Sequence, residues 1–246
     1  MFPRVIFFDA DGTLFDNFGA HLTAVKAMLQ DLDRDDIDPG DFHRRWDSKM
    51  FPFHRHVERA HRFLPISQIM VTCIKLVLRE HGINVDRKSI NKYVTMTRSS
   101  FINYGRPFED APHALEDLRN RGYDLRIISN ADMDLYKQLG RMSLRSFFKR
   151  GITSFEARSY KPLRTIFFKA LRIADCTPEE AAMVGDSVEY DIVGAGKVGM
   201  TTILIDRSKK CCDSRRTAIR NDGPDYVVSD LREISGRIDM EHRRTS

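Results

Sequence analysis

No apolar run in this 246-residue chain approaches the roughly 18–20 residues needed to cross a bilayer. The N-terminus runs straight into the short strand-like Val5-Ile6-Phe7-Phe8, so neither a membrane span nor secretion is expected. Cysteine is scarce. Cys73, Cys176, Cys211 and Cys212 include no C-x-x-C pair, which argues against a disulfide scaffold and a structural zinc site and matches a cytoplasmic protein. Cys211 and Cys212 stand in a Lys/Arg-rich stretch and are read as a surface pair without a role. Charge of one sign is also in small excess: 40 Lys and Arg face 35 Asp and Glu, a net +5. The basic residues are dispersed, with no zinc-finger spacing, RNP-like string or basic helix leading into heptads, so no nucleic-acid partner is expected. The same mild positive potential suits a small phosphorylated substrate. With 41% hydrophobic and 30% charged residues, the chain has the composition of an ordinary folded protein.

Short apolar, β-branched runs recur at Val5 to Phe8, Leu125 to Ser129, Ile152 to Phe155, Ala181 to Gly185, Thr202 to Ile205 and Tyr226 to Ser229. Helix-like segments separate most of them: Pro112 to Arg121, Asp132 to Arg141, Pro162 to Ala174, Ile192 to Val198 and one from about Asp230. Such alternation predicts an α/β fold, a Rossmann-like parallel sheet with right-handed crossovers. One long interruption follows the first strand. From Asn17 to Asn103 the patterns are helical, at His21 to Leu32, Ser67 to His81 and Lys88 to Arg98, with no convincing strand. This predicts a core domain of residues 1–16 and 104–246 and a helical cap domain of residues 17–103, joined by two crossings near Asp16 and near Tyr104 to Pro107. Glu241 to Ser246 read as a charged tail.

Four strings carry the chemistry. The first strand ends in Asp9-Ala10-Asp11-Gly12-Thr13, two carboxylates at the edge where open parallel sheets bind ligands, with a glycine that lets backbone amides approach an anion. Asp9 suits a nucleophile and Asp11 a general acid and base, although D-x-D-G turns also occur with both aspartates capping a turn. After the second core strand, Ser129-Asn130-Ala131-Asp132 reads as a phosphate-binding turn at a helix start or as an ordinary N-cap. Lys161 before Pro162 either stabilises phosphoryl charge or is a solvated lysine. Asp186 and Asp191, in Gly185-Asp186-Ser187-Val188-Glu189-Tyr190-Asp191, would add carboxylates to those of Asp9 and Asp11, a set that needs a hard cation such as Mg²⁺.

The order of the four strings resembles the haloacid dehalogenase (HAD) superfamily of hydrolases, in the branch with a helical cap inserted after the first strand. Lys161-Pro162 with Ile166-Phe167, Gly194-Ala195, Gly199-Met200, Thr202, and Pro224 to Val228 leading into Leu231 resemble that branch's C-terminal half. The likeness covers residues 1–16 and about 105–238, and the cap only by size and helical character. It implies a phosphatase in which Asp9 forms a phospho-aspartate while Asp11 is acid and then base. Thr13, Ser129, Asn130 and Lys161 would hold the phosphoryl group, and Asp9, the Asp11 carbonyl, Asp186 and Asp191 would serve Mg²⁺. The cap would close during transfer and reopen for release, with Asp16 and the stretch around Gly105 as hinges.

Rival readings separate on single residues. The name-giving dehalogenases have no aspartate where Asp11 stands. The branch's sugar-phosphate mutases carry a Gly- and Arg-containing cap loop, whereas no glycine occurs from Asp41 to His81. A non-catalytic binding protein on this fold would be expected to have lost one of the four strings. The segment His43 to Arg62 holds Arg44, Arg45, Lys49, Arg55, Arg59 and Arg62 with the single Trp46; it is expected either to meet an anionic part of the substrate or to be a solvated basic face. Phe51, Phe53 and Phe63 are expected in the cap core.

Overall fold

Val5 to Phe8 are completely buried, the pattern of a central parallel strand covered on both faces. The structure, a computed structural model, describes residues 3–59, 63–207 and 223–238, with residues 51–59 described by backbone alone. Cys211, Cys212, the charged tail, Arg62, and the side chains of Phe51, Phe53, Arg55 and Arg59 lie outside the described residues.

In chain order the strands are β1 (Val5–Phe8), the two-residue β2 (Phe15–Asp16) and β3 (Arg106–Pro107), β4 (Asp124–Ser129), β5 (Ile152–Thr153), β6 (Ala181–Gly185), β7 (Thr201–Ile205) and β8 (Tyr226–Val228). Six of them form one sheet in the order β5-β4-β1-β6-β7-β8, with every pairing parallel. Phe8 is level with Ile127 on one side and Val184 on the other. The carboxyl ends of β1, β4 and β6 therefore reach one edge together.

The helices are α1 (Phe18–Asp31), α2 (Pro39–Arg59), α3 (Ile66–Glu80), α4 (Arg87–Tyr104), α5 (Asp110–Asn120), α6 (Asp134–Arg141), α7 (Ser154–Ala157), α8 (Arg164–Ala174) and α9 (Val193–Gly196). Val5, Phe7, Ile128 and Met183 of the sheet pack with Ile166 and Phe167 of α8 and Ala195 of α9. Burying each large side chain contributes about 1.5–3 kcal/mol.

Two compact units result. One comprises Met1–Asp16, Pro107–Asn130 and Ser143–Ser246, and the other Asn17–Arg106 with Ala131–Met142. The second contains α1 to α4 and also α6, a segment that the sequence reading keeps with the α/β core, so the chain passes between units at four points rather than two. Asp132 supplies a physical reason. Its carboxylate accepts the N–H groups of Ile66 and Ser67, both at 3.0 Å, capping the first turn of α3. Beside it Arg98 of α4 bonds to Asp134.

Within the helical unit, Trp46 is buried with its ring 4.3 Å from that of His21, a core position. The α2 helix is not among the patterns read from the sequence, because Pro39, Gly40 and Pro52 obscure its period.

Three further boundaries differ from the periodicity. The run at Ile152 stops at Thr153, where a capping box with Glu156 starts α7. Pro162 lies before its helix: the Lys161–Pro162 peptide is cis, in a turn where Leu163 N–H donates to Tyr160 O (2.9 Å). The segment after Asp186 begins as a π-turn, Val188–Ile192, before α9.

Candidate active site

Asp9 leaves β1 with its N–H donating to Val184 O at 2.9 Å, which carries the residue off the strand end with its side chain buried. Lys161 Nζ donates to Asp9 Oδ1 at 2.5 Å and to Asp191 Oδ1 at 2.6 Å. Lys161 is only 2% exposed. Burial pushes its pKa down, but Asp191 and Asp9 outweigh that and lift it to about 12, so the site contains a fixed cation.

Asp191 is fully buried. Burial raises its carboxyl to about 7, with Lys161 pulling it back and Asp9 adding to the rise. A stronger base at Lys161 and a weaker acid at Asp191 pull the shared proton in opposite senses. The direct ion pair and the Ser187 N–H donated to Asp191 Oδ2 at 3.1 Å favour the carboxylate form. Crowding by protein atoms, and then Asp9, raise the Asp186 carboxyl to about 6, although this residue also reaches solvent.

Carboxylate oxygens of Asp9, Asp186 and Asp191 lie within 4.8 Å of one another. Three carboxylates against one ammonium leave an excess of negative charge, which adds to the effect of burial in raising Asp186 and Asp191. A hard divalent cation bound by oxygen fits this donor set.

The turn after Asp9 is closed by Leu14 N–H to Ala10 O and Gly12 N–H to Phe15 O, each 2.8 Å. Gly12 has φ +82°, and a Cβ there would lie 2.5 Å from Asp186 Oδ2, so both backbone and space demand glycine. Asp11 is exposed, and its carboxylate is outside the group of three. Thr13 is buried and donates its hydroxyl to Asp186 Oδ1 at 3.3 Å.

Ser129 is buried at the end of β4. It does not open a helix, since α6 starts only at Asp134. Asn130 Nδ2 donates to Lys161 O at 3.2 Å while its Oδ1 accepts from Lys161 N at 2.8 Å. Both polar ends of the Asn130 amide thus clamp the lysine's backbone. Gly185, which stands in the fourth string with no role read for it, makes room for Asp191: a Cβ there would stand 2.2 Å from Asp191 Oδ2. Of the basic residues on α2, Arg45 pairs with Asp41 at 2.7 Å and Lys49 with Glu80 at 2.5 Å, so acidic neighbours offset part of that face.

A sequence profile of haloacid dehalogenase-like hydrolases matches residues 3–199. The chain belongs to this family. Among HAD relatives, the glyceraldehyde 3-phosphate phosphatase of Methanothermobacter thermautotrophicus is 30% identical, over 94% of this chain and 99% of that one. The enzyme of the same name from Methanopyrus kandleri is 26% identical, over 94% and 95%. Among solved structures, the HAD hydrolase YfnB of Bacillus subtilis superposes with a TM-score of 0.80 at 20% identity, covering 97% of this chain and 100% of that one, a likeness of fold. Among the described residues no helix is long and apolar enough to cross a membrane.

Proposed function

We propose that this HAD hydrolase is a Mg²⁺-dependent phosphatase that hydrolyses a small phosphorylated metabolite through a phospho-aspartate on Asp9. The observation that carries the reading is the buried Lys161 ammonium at 2.5 Å from Asp9 Oδ1. It pairs with one carboxylate oxygen of Asp9, which leaves the other for attack on phosphorus.

Asp9 forms an O–P bond as the ester P–O bond breaks. Asp11, outside the carboxylate cluster and in reach of solvent, gives its proton to the departing oxygen. In the second half Asp11 takes a proton from water, whose oxygen attacks phosphorus, and the aspartyl O–P bond breaks to release phosphate. Asp9, the Asp11 carbonyl and Asp186 would hold Mg²⁺, with Asp191 supporting from beneath through Lys161 and the Ser187 amide. When bound, the ion supplies positive charge against the phosphoryl oxygens. Lys161 and Ser129 bind those oxygens; Asn130 acts on them through its grip on Lys161, and Thr13 through Asp186 and its own backbone. We assign the helical unit the part of the cap domain, where substrate selection resides.

The two relatives named for glyceraldehyde 3-phosphate match nearly all of this chain, which makes three-carbon phosphate esters the first class to assay. Inorganic phosphate release from such a panel, with and without Mg²⁺, should depend on the metal in the wild type and vanish in Asp9→Asn. Turnover that persists in Asp9→Asn would overturn the nucleophile.

A further inference from the structure

Arg207 follows β7, two strands away from the nucleophile. Its Nη2 donates to the carbonyl of Thr13 at 2.7 Å. The same guanidinium makes a forked pair with Asp110, at 3.0 and 3.1 Å, and stacks 3.7 Å over the Phe108 ring. Asp110 is itself only 5% exposed and accepts Leu231 N–H at 2.8 Å. Phe108 N–H donates to Leu14 O at 3.0 Å. The guanidinium is thus fixed by a carboxylate and an aromatic face, and Nη2, which takes part in the fork to Asp110, also reaches the backbone of the turn that carries Asp11.

We infer that Arg207, anchored by Asp110 and Phe108, is a positioning residue that clamps the Asp11-Gly12-Thr13 turn through the Thr13 carbonyl. The inference rests on the phosphatase reading. Arginine suits the task because its planar fork can bind a carboxylate and a carbonyl at once, which a lysine ammonium cannot do in one plane.

The consequence runs through Thr13. Its hydroxyl holds Asp186 at 3.3 Å, and Gly12 lies against the same carboxylate. A turn that shifts therefore moves both the acid/base Asp11 and a cation-binding carboxylate. Stability is a weaker reason for the cluster, because a buried ion pair contributes little net stability compared with an apolar pair of similar volume. Specificity of placement is what the guanidinium adds.

The test replaces the pair together, Arg207→Met with Asp110→Leu, so that no lone buried charge remains. The clamp predicts a thermal midpoint lowered by no more than the loss of the Leu231 amide's acceptor accounts for, backbone amides of Ala10 to Phe15 that exchange hydrogen at least about tenfold faster while Ile6 to Phe8 stay protected, and kcat lowered about 10- to 100-fold with KM little changed. In Arg207→Ala, added guanidinium should recover part of kcat. Exchange in the turn unaltered by the double substitution would overturn the clamp, whatever the activity. Unaltered kcat in the face of active wild type would overturn it as well. Failure of the phosphatase reading shows separately, as a wild type that releases no phosphate under any metal condition.

Discussion

Lys161 Nζ is shared between Asp9 Oδ1 and Asp191 Oδ1, at 2.5 and 2.6 Å, with all three side chains largely or wholly withdrawn from water. Removing the cation strands two carboxylates. Lys161→Met should therefore lose activity and, in metal-free buffer, about 3–5 kcal/mol of stability. Added Mg²⁺ should recover part of that loss by supplying the missing charge. Urea unfolding with and without the metal measures both; a variant as stable as wild type in metal-free buffer would contradict the assignment.

Gly12→Ala puts a methyl group where Asp186 Oδ2 would be only 2.5 Å away, at φ +82°. The backbone strain should cost about 1–3 kcal/mol. Displacement of Asp186 should weaken Mg²⁺ binding well beyond that of a control such as Gly122→Ala, also at positive φ but with open space around it. Titration calorimetry with Mg²⁺ separates the two effects: equal metal affinity in both variants would mean that Asp186 is not the group that Gly12 accommodates.

Asp132 holds the first two amides of α3. Its replacement by alanine should destabilise the helical unit by about 1 kcal/mol, and asparagine should retain much of the cap. Denaturant midpoints of the three proteins give the comparison. An alanine variant equal to wild type would remove the reason offered for grouping α6 with the helices.

His21 is buried at 2.6 Å, nitrogen to nitrogen, from His43. Burial and then the neighbouring imidazole lower its pKa to about 3. The unfolded chain takes up a proton near pH 6.5 that the folded one refuses, so this residue's contribution to stability is intact above that pH. It falls by up to about 1.4 kcal/mol per pH unit between 6.5 and 3. The raised carboxyls of Asp186 and Asp191 act in the opposite sense, so the slope must be read as a difference between proteins. His21→Phe should lose stability with a shallower acid slope than wild type between pH 6.5 and 5. Identical slopes would show that His21 is protonated in the folded state.

The four strings made the candidate site's edge legible because each follows a strand, and strand ends in a parallel sheet converge. Asp9, Asp186, Asp191 and Lys161 meet as the order of the strings implied. What the sequence could not show was which atoms are already committed. Asn130 reads as a phosphate ligand, yet its amide grips Lys161; Thr13 reads the same way, yet its hydroxyl holds Asp186. Both roles depend on partners 31 and 173 positions away, a separation no local pattern encodes. Asp132 reads as the first residue of the helix next to it and caps a helix 65 positions back. Arg207 and Asp110 carry no motif at all, since an isolated arginine after a strand is indistinguishable from a solvated one until the fold closes around it.

The central claim is that phosphorus bonds covalently to Asp9. Acid quenching of wild-type enzyme during turnover with Mg²⁺ and the best substrate, followed by peptide mass spectrometry, tests it most directly. The account predicts a phosphoryl group on the peptide containing Asp9, absent from Asp9→Asn and accumulating when Asp11→Asn slows the second half-reaction. Turnover in the wild type with no adduct on that peptide in either protein would contradict it and point to direct attack by water.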